Sequence, residues 1–324
     1  MGPVLEIDNL SVSFHRGVKP AVRGVSLQLG TGEIVGLVGE SGSGKSISAL
    51  SIMGLLPPAA DLDGGSIVFK GLELTGLDTS ERRKLCGTHL GMVFQEPLTA
   101  LNPVLTIGEQ LAEIYRYRQG QKRRSAKQMA VEMLARVGLP NPKLAANSYP
   151  HRFSGGMRQR VVIAMALALA PEILIADEPT TALDPTIAAQ ILALLSRLAI
   201  EDNSAVLFIT HNLHLLKGLA SRVLVMYTGL VVEEAPVPEV FERAAHPYTQ
   251  GLLKALPPAL DQPAPERLKA IEGTPPVPGQ WPGGCPFQPR CEKAFKPCSG
   301  GLPPLYDLGG GRKARCFLYS GDTC

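Results

Sequence analysis

The chain is predicted to fold as an α/β protein on a mostly parallel sheet, with a small cysteine-rich C-terminal extension. Three observations carry this prediction. A glycine-rich loop joins a short apolar strand to a helix. Apolar strand candidates then alternate with helical patterns as far as about residue 235, the rhythm of a helix-covered parallel sheet. Beyond that point the composition changes: residues 257–282 hold eight prolines, and four cysteines follow between 285 and 316.

The loop comes first along the chain. Residues 39–46 read Gly39-Glu40-Ser41-Gly42-Ser43-Gly44-Lys45-Ser46, a full match to G-x-x-x-x-G-K-[ST]. Before it, Ile34-Val-Gly-Leu-Val38 is a β-branched apolar run. After it, Ile47 opens a stretch that continues as a helix. In that setting the glycines let successive backbone N–H groups face one phosphate chain, and the helix N-terminus adds partial positive charge. Lys45 would reach the β- and γ-phosphates and Ser46 would ligate Mg²⁺. The chain is therefore expected to bind a nucleoside triphosphate.

Further strands are expected at 66–70, 173–177, 205–210 and 222–227, with helices over 126–137 and 187–200 between them. The strand Ile173-Leu-Ile-Ala-Asp177 ends in two carboxylates, Asp177 and Glu178. Asp177 suits the Mg²⁺ shell, and Glu178 suits orienting or deprotonating the attacking water. Ser154-Gly155-Gly156 opens a further helix whose first N–H groups make an anion site.

Bulk properties bound the function classes. The 32 basic and 29 acidic residues leave a net charge of +3, which argues against a nucleic-acid partner. The N-terminal residues lack a basic region followed by an apolar run, so no secretory signal is expected. The longest nearly uncharged stretch, 161–176, is too short to cross a bilayer. The chain is therefore expected to be cytosolic unless something docks it to a membrane. In that compartment its six cysteines are not read as disulfides.

The motifs together resemble those of ATP-binding cassette (ABC) ATPases. Phe153-Ser-Gly-Gly-Met-Arg-Gln-Arg160 is similar to their signature sequence, Thr180-Thr-Ala-Leu-Asp184 to their D-loop, Gln95 to their Q-loop glutamine and His211 to their switch histidine. The resemblance implies a RecA-like core with an N-terminal antiparallel β subdomain and a helical subdomain at about 96–160. It implies ATP held by Gly39 through Ile47 and by Gln95, with Mg²⁺ at Ser46, Gln95 and Asp177. Glu178, His211 and Lys45 would be the catalytic residues. Ser154, Gly155, Gly156 and Met157, with Ala182, Leu183 and Asp184 of the D-loop, would serve the nucleotide of an opposite cassette. Phe14 is the candidate to stack on adenine, although an apolar strand residue explains it equally well. Met157 replaces the family's usual glutamine, which removes a side-chain amide and leaves the backbone donors.

The tail resembles the C-terminal extension of oligopeptide and dipeptide importer ATPases, in their D-type subunit. His246-Pro-Tyr-Thr-Gln-Gly-Leu-Leu253 and Gly284-Cys-Pro-Phe-Gln-Pro-Arg-Cys291, with Cys298 and Cys316, carry that likeness. Cys285, Cys291, Cys298 and Cys316 follow a C-x₅-C-x₆-C-x₁₇-C spacing, unlike a paired zinc ribbon. Four thiolates suit a [4Fe–4S] cluster or zinc, and the resemblance favours the cluster. Reduced, buried thiols are the simpler alternative. Cys86 is expected to be a packed thiol and Cys324 a terminal one. Serine at position 291 is expected to remove the metal and loosen residues 240–324 while sparing ATP binding.

The expected organisation is an ATPase domain over 1–235 and an extension over 236–324, with a proline-rich connector at 257–282 and the metal site at 285–316. The expected function is the ATP-hydrolysing motor of an importer of dipeptides or oligopeptides, at the cytoplasmic face of the membrane. Its partners would be a second, F-type ATPase subunit, two transmembrane permease subunits and an extracytoplasmic solute-binding protein, with residues 98–111 touching the permeases. Import of nickel, glutathione or another small solute is the alternative. A soluble ABC ATPase of DNA repair or translation and an iron–sulfur redox sensor are the competing classes.

Overall fold

The computed structural model describes residues 2–15, 19–181, 183–255, 270–277 and 279–321. Ala182, Cys324 and residues 257–269 and 278 of the expected connector lie outside them. Along the chain run β1 (Leu5–Phe14), β2 (Lys19–Leu29), β3 (Ile34–Val38), α1 (Lys45–Met53), β4 (Ala60–Phe69), β5 (Leu72–Glu73), α2 (Thr79–Leu85) and β6 (Leu90–Val93). The helices α3 (Pro97–Ala100), α4 (Ile107–Gln119), α5 (Arg123–Arg136), α6 (Pro142–Ala146) and α7 (Gly155–Leu167) follow. Then come β7 (Ile173–Asp177), α8 (Pro185–Glu201), β8 (Ala205–Thr210), β9 (Arg222–Tyr227), β10 (Leu230–Pro236), α9 (Val237–Arg243), α10 (Pro247–Ala255), β11 (Tyr306–Gly309) and β12 (Arg312–Ala314). The chain falls into two compact units.

The first unit holds Leu29–Glu33 and Gly76–Phe208, with the residues before Leu5. Its strands β6 and β7 are parallel, with Leu90 opposite Ile173, and β8 lies on the other side of β7. Every residue of β7 and β8 is buried. Continuous apolar runs of this kind mark strands covered on both faces. The stretch expected to form a helical subdomain, about 96–160, holds α3 to α6 and the start of α7. Its α4 begins at a capping box in which Thr106 and Glu109 satisfy each other's backbone N–H groups.

The second unit holds Leu5–Gln28, Ile34–Thr75 and the described residues from Ile209 onward. One of its sheets is antiparallel, in the order β2-β1-β4-β5. The β1–β4 register slips between Asp8 and Ser11. There Asn9 takes φ 50, and a Cβ on Gly65 would lie 2.5 Å from the Asn9 carbonyl oxygen. Only glycine fits that crossing. In the other sheet β3 runs parallel to β9 and β10 pairs antiparallel with β9. The hairpin of β11 and β12 then continues the sheet, with Glu233 opposite Ala314. The end of the chain thus covers an edge that β10 would otherwise leave open.

Candidate functional site

In the second unit, β3 is buried apart from its first residue and ends at Val38, where the glycine-rich loop begins. A Cβ on Gly39 would sit 2.2 Å from the Met226 carbonyl oxygen, so no side chain fits there. Gly42 and Gly44 take φ 79 and 103, left-handed values that glycine adopts without strain. Gly44 caps α1 with no side-chain hydrogen bond, and no acidic residue lies in the helix's first turn. The start of α1 thus carries neither a side-chain cap nor an acidic residue of its own, and a helix N-terminus of that kind suits an anion. The Lys45 residue is only 5% exposed, and its ammonium donates to the carbonyls of Gly39 at 2.8 Å and Glu40 at 3.0 Å. The buried Ser43 hydroxyl has no hydrogen-bond partner within the protein. A buried polar group without a partner calls for a ligand, and a phosphate oxygen meets that need. The residues present fit a triphosphate. Ser46 and Ile47, half-buried, open α1 beside them.

Glu40 is held from several sides. Its N–H donates to the Tyr248 hydroxyl at 2.9 Å. Its carboxylate accepts two hydrogen bonds from Arg290, at 2.8 and 3.1 Å. Sequence reasoning missed both partners. Arg290 stands between two expected metal-ligand cysteines, and Tyr248 sits in the opening of the extension. Tyr227, Tyr248, His246 and Phe287 form a cluster beneath them, with ring centroids 4.6 to 5.9 Å apart. Burial pushes the Tyr248 phenol well up and lowers His246 to about 3. The imidazole is thus neutral at ordinary pH, with Nδ1 accepting from the Tyr248 N–H. His211 is exposed just after β8. Phe14 ends β1 half-buried, opposite Ala60.

In the first unit, Asp177 is buried at the end of β7. Glu178 follows with φ 45, a left-handed value for a residue with a side chain. Such backbone costs about 1–3 kcal/mol and is retained where the surroundings enforce it, commonly at active sites. The Glu178 carboxylate accepts from Gln95 Nε2 at 3.3 Å and from the Thr181 hydroxyl at 2.8 Å. The structure thus joins the expected Q-loop glutamine to the expected base.

Ser154 caps α7, its hydroxyl accepting from the Met157 N–H. Of the glycines after it, Gly156 has a packing reason, whereas a methyl group at Gly155 would make only ordinary contact. A Cβ on Gly155 would lie 3.4 Å from Leu183, and one on Gly156 only 2.6 Å from Ile187 in α8. The expected signature and D-loop therefore lie side by side. Asp184 caps α8 through the Ile187 N–H.

No three His, Cys, Asp or Glu side chains among the described residues are grouped to hold a metal ion. Cys285, Cys291, Cys298 and Cys316 thus do not form the compact tetrahedral set that zinc requires. They are nonetheless neighbours. Burial raises the thiols of Cys285, Cys291 and Cys316, the last to about 11, and charge on the neighbouring thiols adds to the rise. No disulfide links the described cysteines. Cys86 is half-buried at the end of α2, and burial raises its thiol as well.

Residues 22–181 match the ABC transporter family model. Residues 232–298 match the model of the oligopeptide/dipeptide transporter C-terminal region. The oligopeptide transport ATP-binding protein AppD of Bacillus subtilis is 48% identical over 322 residues, covering 98% of both chains. A putative peptide import ATP-binding protein of Brucella abortus is 46% identical over 98% of this chain and 97% of its own. The ATP-binding cassette MJ0796, solved as a post-hydrolysis dimer bound to ADP and phosphate, aligns with a TM-score of 0.64 at 30% identity. It covers 72% of this chain and 98% of its own.

Proposed function

The chain belongs to the ABC transporter family, and on that premise we propose that it is the ATP-hydrolysing motor subunit of an importer of dipeptides or oligopeptides. The observation that carries the reading is the glycine-rich loop, which offers an uncapped helix N-terminus, a buried ammonium and an unpartnered buried hydroxyl to one ligand. The extension, alike in its relatives, carries the choice of branch.

The proposed roles follow from the chemistry. Lys45 and the N–H groups of 39–46 bind the phosphates, and His211 stabilises the charge that builds on the γ-phosphoryl group. Ser46, Gln95 and Asp177 would hold Mg²⁺, which neutralises phosphate charge; all three offer the oxygen ligands it takes. Glu178 accepts a proton from the attacking water. Ser154, Gly155, Gly156 and Met157 present the α7 N-terminus to the nucleotide of a second cassette.

We assign residues 1–235 to the ATPase domain, with its helical subdomain at about 96–160, and 236–324 to the extension. Among the described residues no helix is long and apolar enough to cross a membrane. The proposed site is the cytoplasmic face of the membrane, on two permease subunits contacted by residues 98–111, with an F-type ATPase partner and a separate solute-binding protein. Cys285, Cys291, Cys298 and Cys316 are proposed to hold a [4Fe–4S] cluster. What supports it is that the four thiols lie near enough for charge on one to act on another, and that such clusters take cysteine thiolates as ligands.

Co-expression with candidate permeases and reconstitution into vesicles tests the motor. ATP-dependent peptide uptake that disappears in Lys45→Ala is the expected result. Uptake of nickel or glutathione instead would reassign the solute, and no ATP-dependent uptake would overturn the reading. Absorbance spectroscopy and iron and zinc analysis after anaerobic purification test the cluster.

A further inference from the structure

We propose that Arg290, in the cysteine-rich extension, is a positioning residue for ATP binding that acts through Glu40 of the phosphate loop. The two residues are 250 positions apart in sequence and bonded side by side in space, at 2.8 and 3.1 Å. The Arg290 side chain is 5% exposed. Its remaining donor capacity is also used. Nε donates to the Glu272 carbonyl at 3.0 Å, and NH1 reaches the Tyr227 hydroxyl at 3.4 Å. A planar guanidinium so fixed offers its carboxylate partner one geometry.

Glu40 is a hub of the loop's first turn. Its carbonyl accepts from Lys45 and from the Ser43 N–H, and its own N–H is bound by Tyr248. Turning the Glu40 peptide would move the lysine and serine that face the phosphates. The side chain raises a second problem. A carboxylate beside a triphosphate repels it, and Arg290 neutralises that charge. Arg290 therefore acts in two ways, fixing the loop's geometry and cancelling an adverse charge. Burial alone would lower the Arg290 pKa, and the bonds to Glu40 and Tyr227 more than reverse that. The extension thus reaches the nucleotide's loop directly.

This inference rests on the ATPase reading, and one experiment separates the two. ATP·Mg²⁺ binding is titrated calorimetrically to the full chain, as wild type, Arg290→Gln, Arg290→Lys and the double variant Glu40→Gln/Arg290→Gln. Melting curves establish that each is folded. Arg290→Gln is expected to weaken ATP binding about tenfold, an ordinary size for coupling between sites. Arg290→Lys should recover part of the loss, since it keeps the charge without the fork. The double variant should bind more tightly than Arg290→Gln, because the uncompensated carboxylate is gone. In the assembled transporter the same change should raise KM and leave kcat within about twofold, the signature of binding lost equally from ground and transition states. Wild-type affinity in Arg290→Gln would overturn the proposal. So would a double variant as weak as the single, which would mark a merely structural arginine. Failure of the wild type to bind ATP would overturn the ATPase reading itself.

Discussion

Gln95 donates from Nε2 to Glu178 Oε2 at 3.3 Å, and the same oxygen accepts from the Thr181 hydroxyl at 2.8 Å. One carboxylate oxygen of the proposed base is thereby fixed by two donors. The left-handed φ of 45 at Glu178 turns the chain away from β7, so that Asp177 and Glu178 point differently although adjacent. Replacing Glu178 with glutamine keeps the size and removes the base. ATP turnover in the assembled transporter is expected to fall by ~10²–10⁴-fold. ATP affinity should stay within a few fold. Wild-type turnover in Glu178→Gln would show that the proton goes elsewhere.

The contact between Gly156 and Ile187 makes a separate prediction. A methyl group at position 156 would lie 2.6 Å from the Ile187 side chain. Gly156→Ala should therefore displace the start of α7 from its cap at Ser154. This N-terminus is proposed to serve the partner's nucleotide, so turnover should fall while this chain's own ATP affinity stays unchanged. Trimming the obstacle in Gly156→Ala/Ile187→Ala should restore part of the rate. Rate measurements on the assembled transporter decide this; a Gly156→Ala variant with weakened ATP binding by this chain would place the signature's role in its own site.

His246 gives a pH prediction with a defined sign. Burial lowers its pKa from 6.5 to about 3. The unfolded chain takes up a proton below about pH 6.5 and the folded chain does not, so the stability present above 6.5 is lost as pH falls toward 3. Glu233 faces the same place, accepting from the backbone N–H groups of Ala245 and His246 at 2.7 and 2.8 Å. Burial raises its pKa. It opposes the trend, because the folded form takes its proton first. His246→Gln retains Glu233 and also Arg315, whose charge adds to the lowering of the imidazole, so the difference in pH slope isolates the imidazole. Between pH 6.5 and 5 the wild type should lose about 1.6 kcal/mol more than the variant, because the unfolded imidazole is already half protonated at 6.5 and the slope reaches about 1.36 kcal/mol per unit only below it. Denaturant titrations at the two pH values measure it, and parallel slopes would refute it.

Much of the fold was legible because local patterns encoded it. The strands at Ile173–Asp177, Ala205–Thr210 and Arg222–Tyr227 lie where their apolar runs place them, since continuous burial leaves a continuous signal. Gly39 and Gly44 were legible as a motif, and the structure supplies the contacts that demand glycine. What sequence could not reveal was long-range pairing. Nothing in residues 306–314 announces a hairpin that joins β10, and nothing near Arg290 points to Glu40. Such contacts depend on register and on charges that meet only after folding. The cysteines show the converse. Their spacing suggested one ligand set, but spacing along a chain does not fix where the sulfurs converge.

Cys291 is where this limit changes an expectation. From sequence, Cys291→Ser should strip the metal and loosen the extension without touching ATP. Yet Cys291 follows Arg290 directly, and Cys285 at the other end of the same loop is tied to Cys298 by the Cys285 N–H and the Cys298 carbonyl at 2.8 Å. Loosening this loop frees the guanidinium that neutralises Glu40. On the proposed cluster, Cys291→Ser is therefore expected to lose the iron and to weaken ATP binding about fivefold. Hydrogen exchange should quicken at residues 285–298 and at 39–44 together, because the two segments share one ion pair. Iron analysis, calorimetry and exchange on the full chain provide the three readouts. Loss of iron with unchanged ATP affinity and protected 39–44 would return the extension to the independent, purely structural role that the sequence alone suggested.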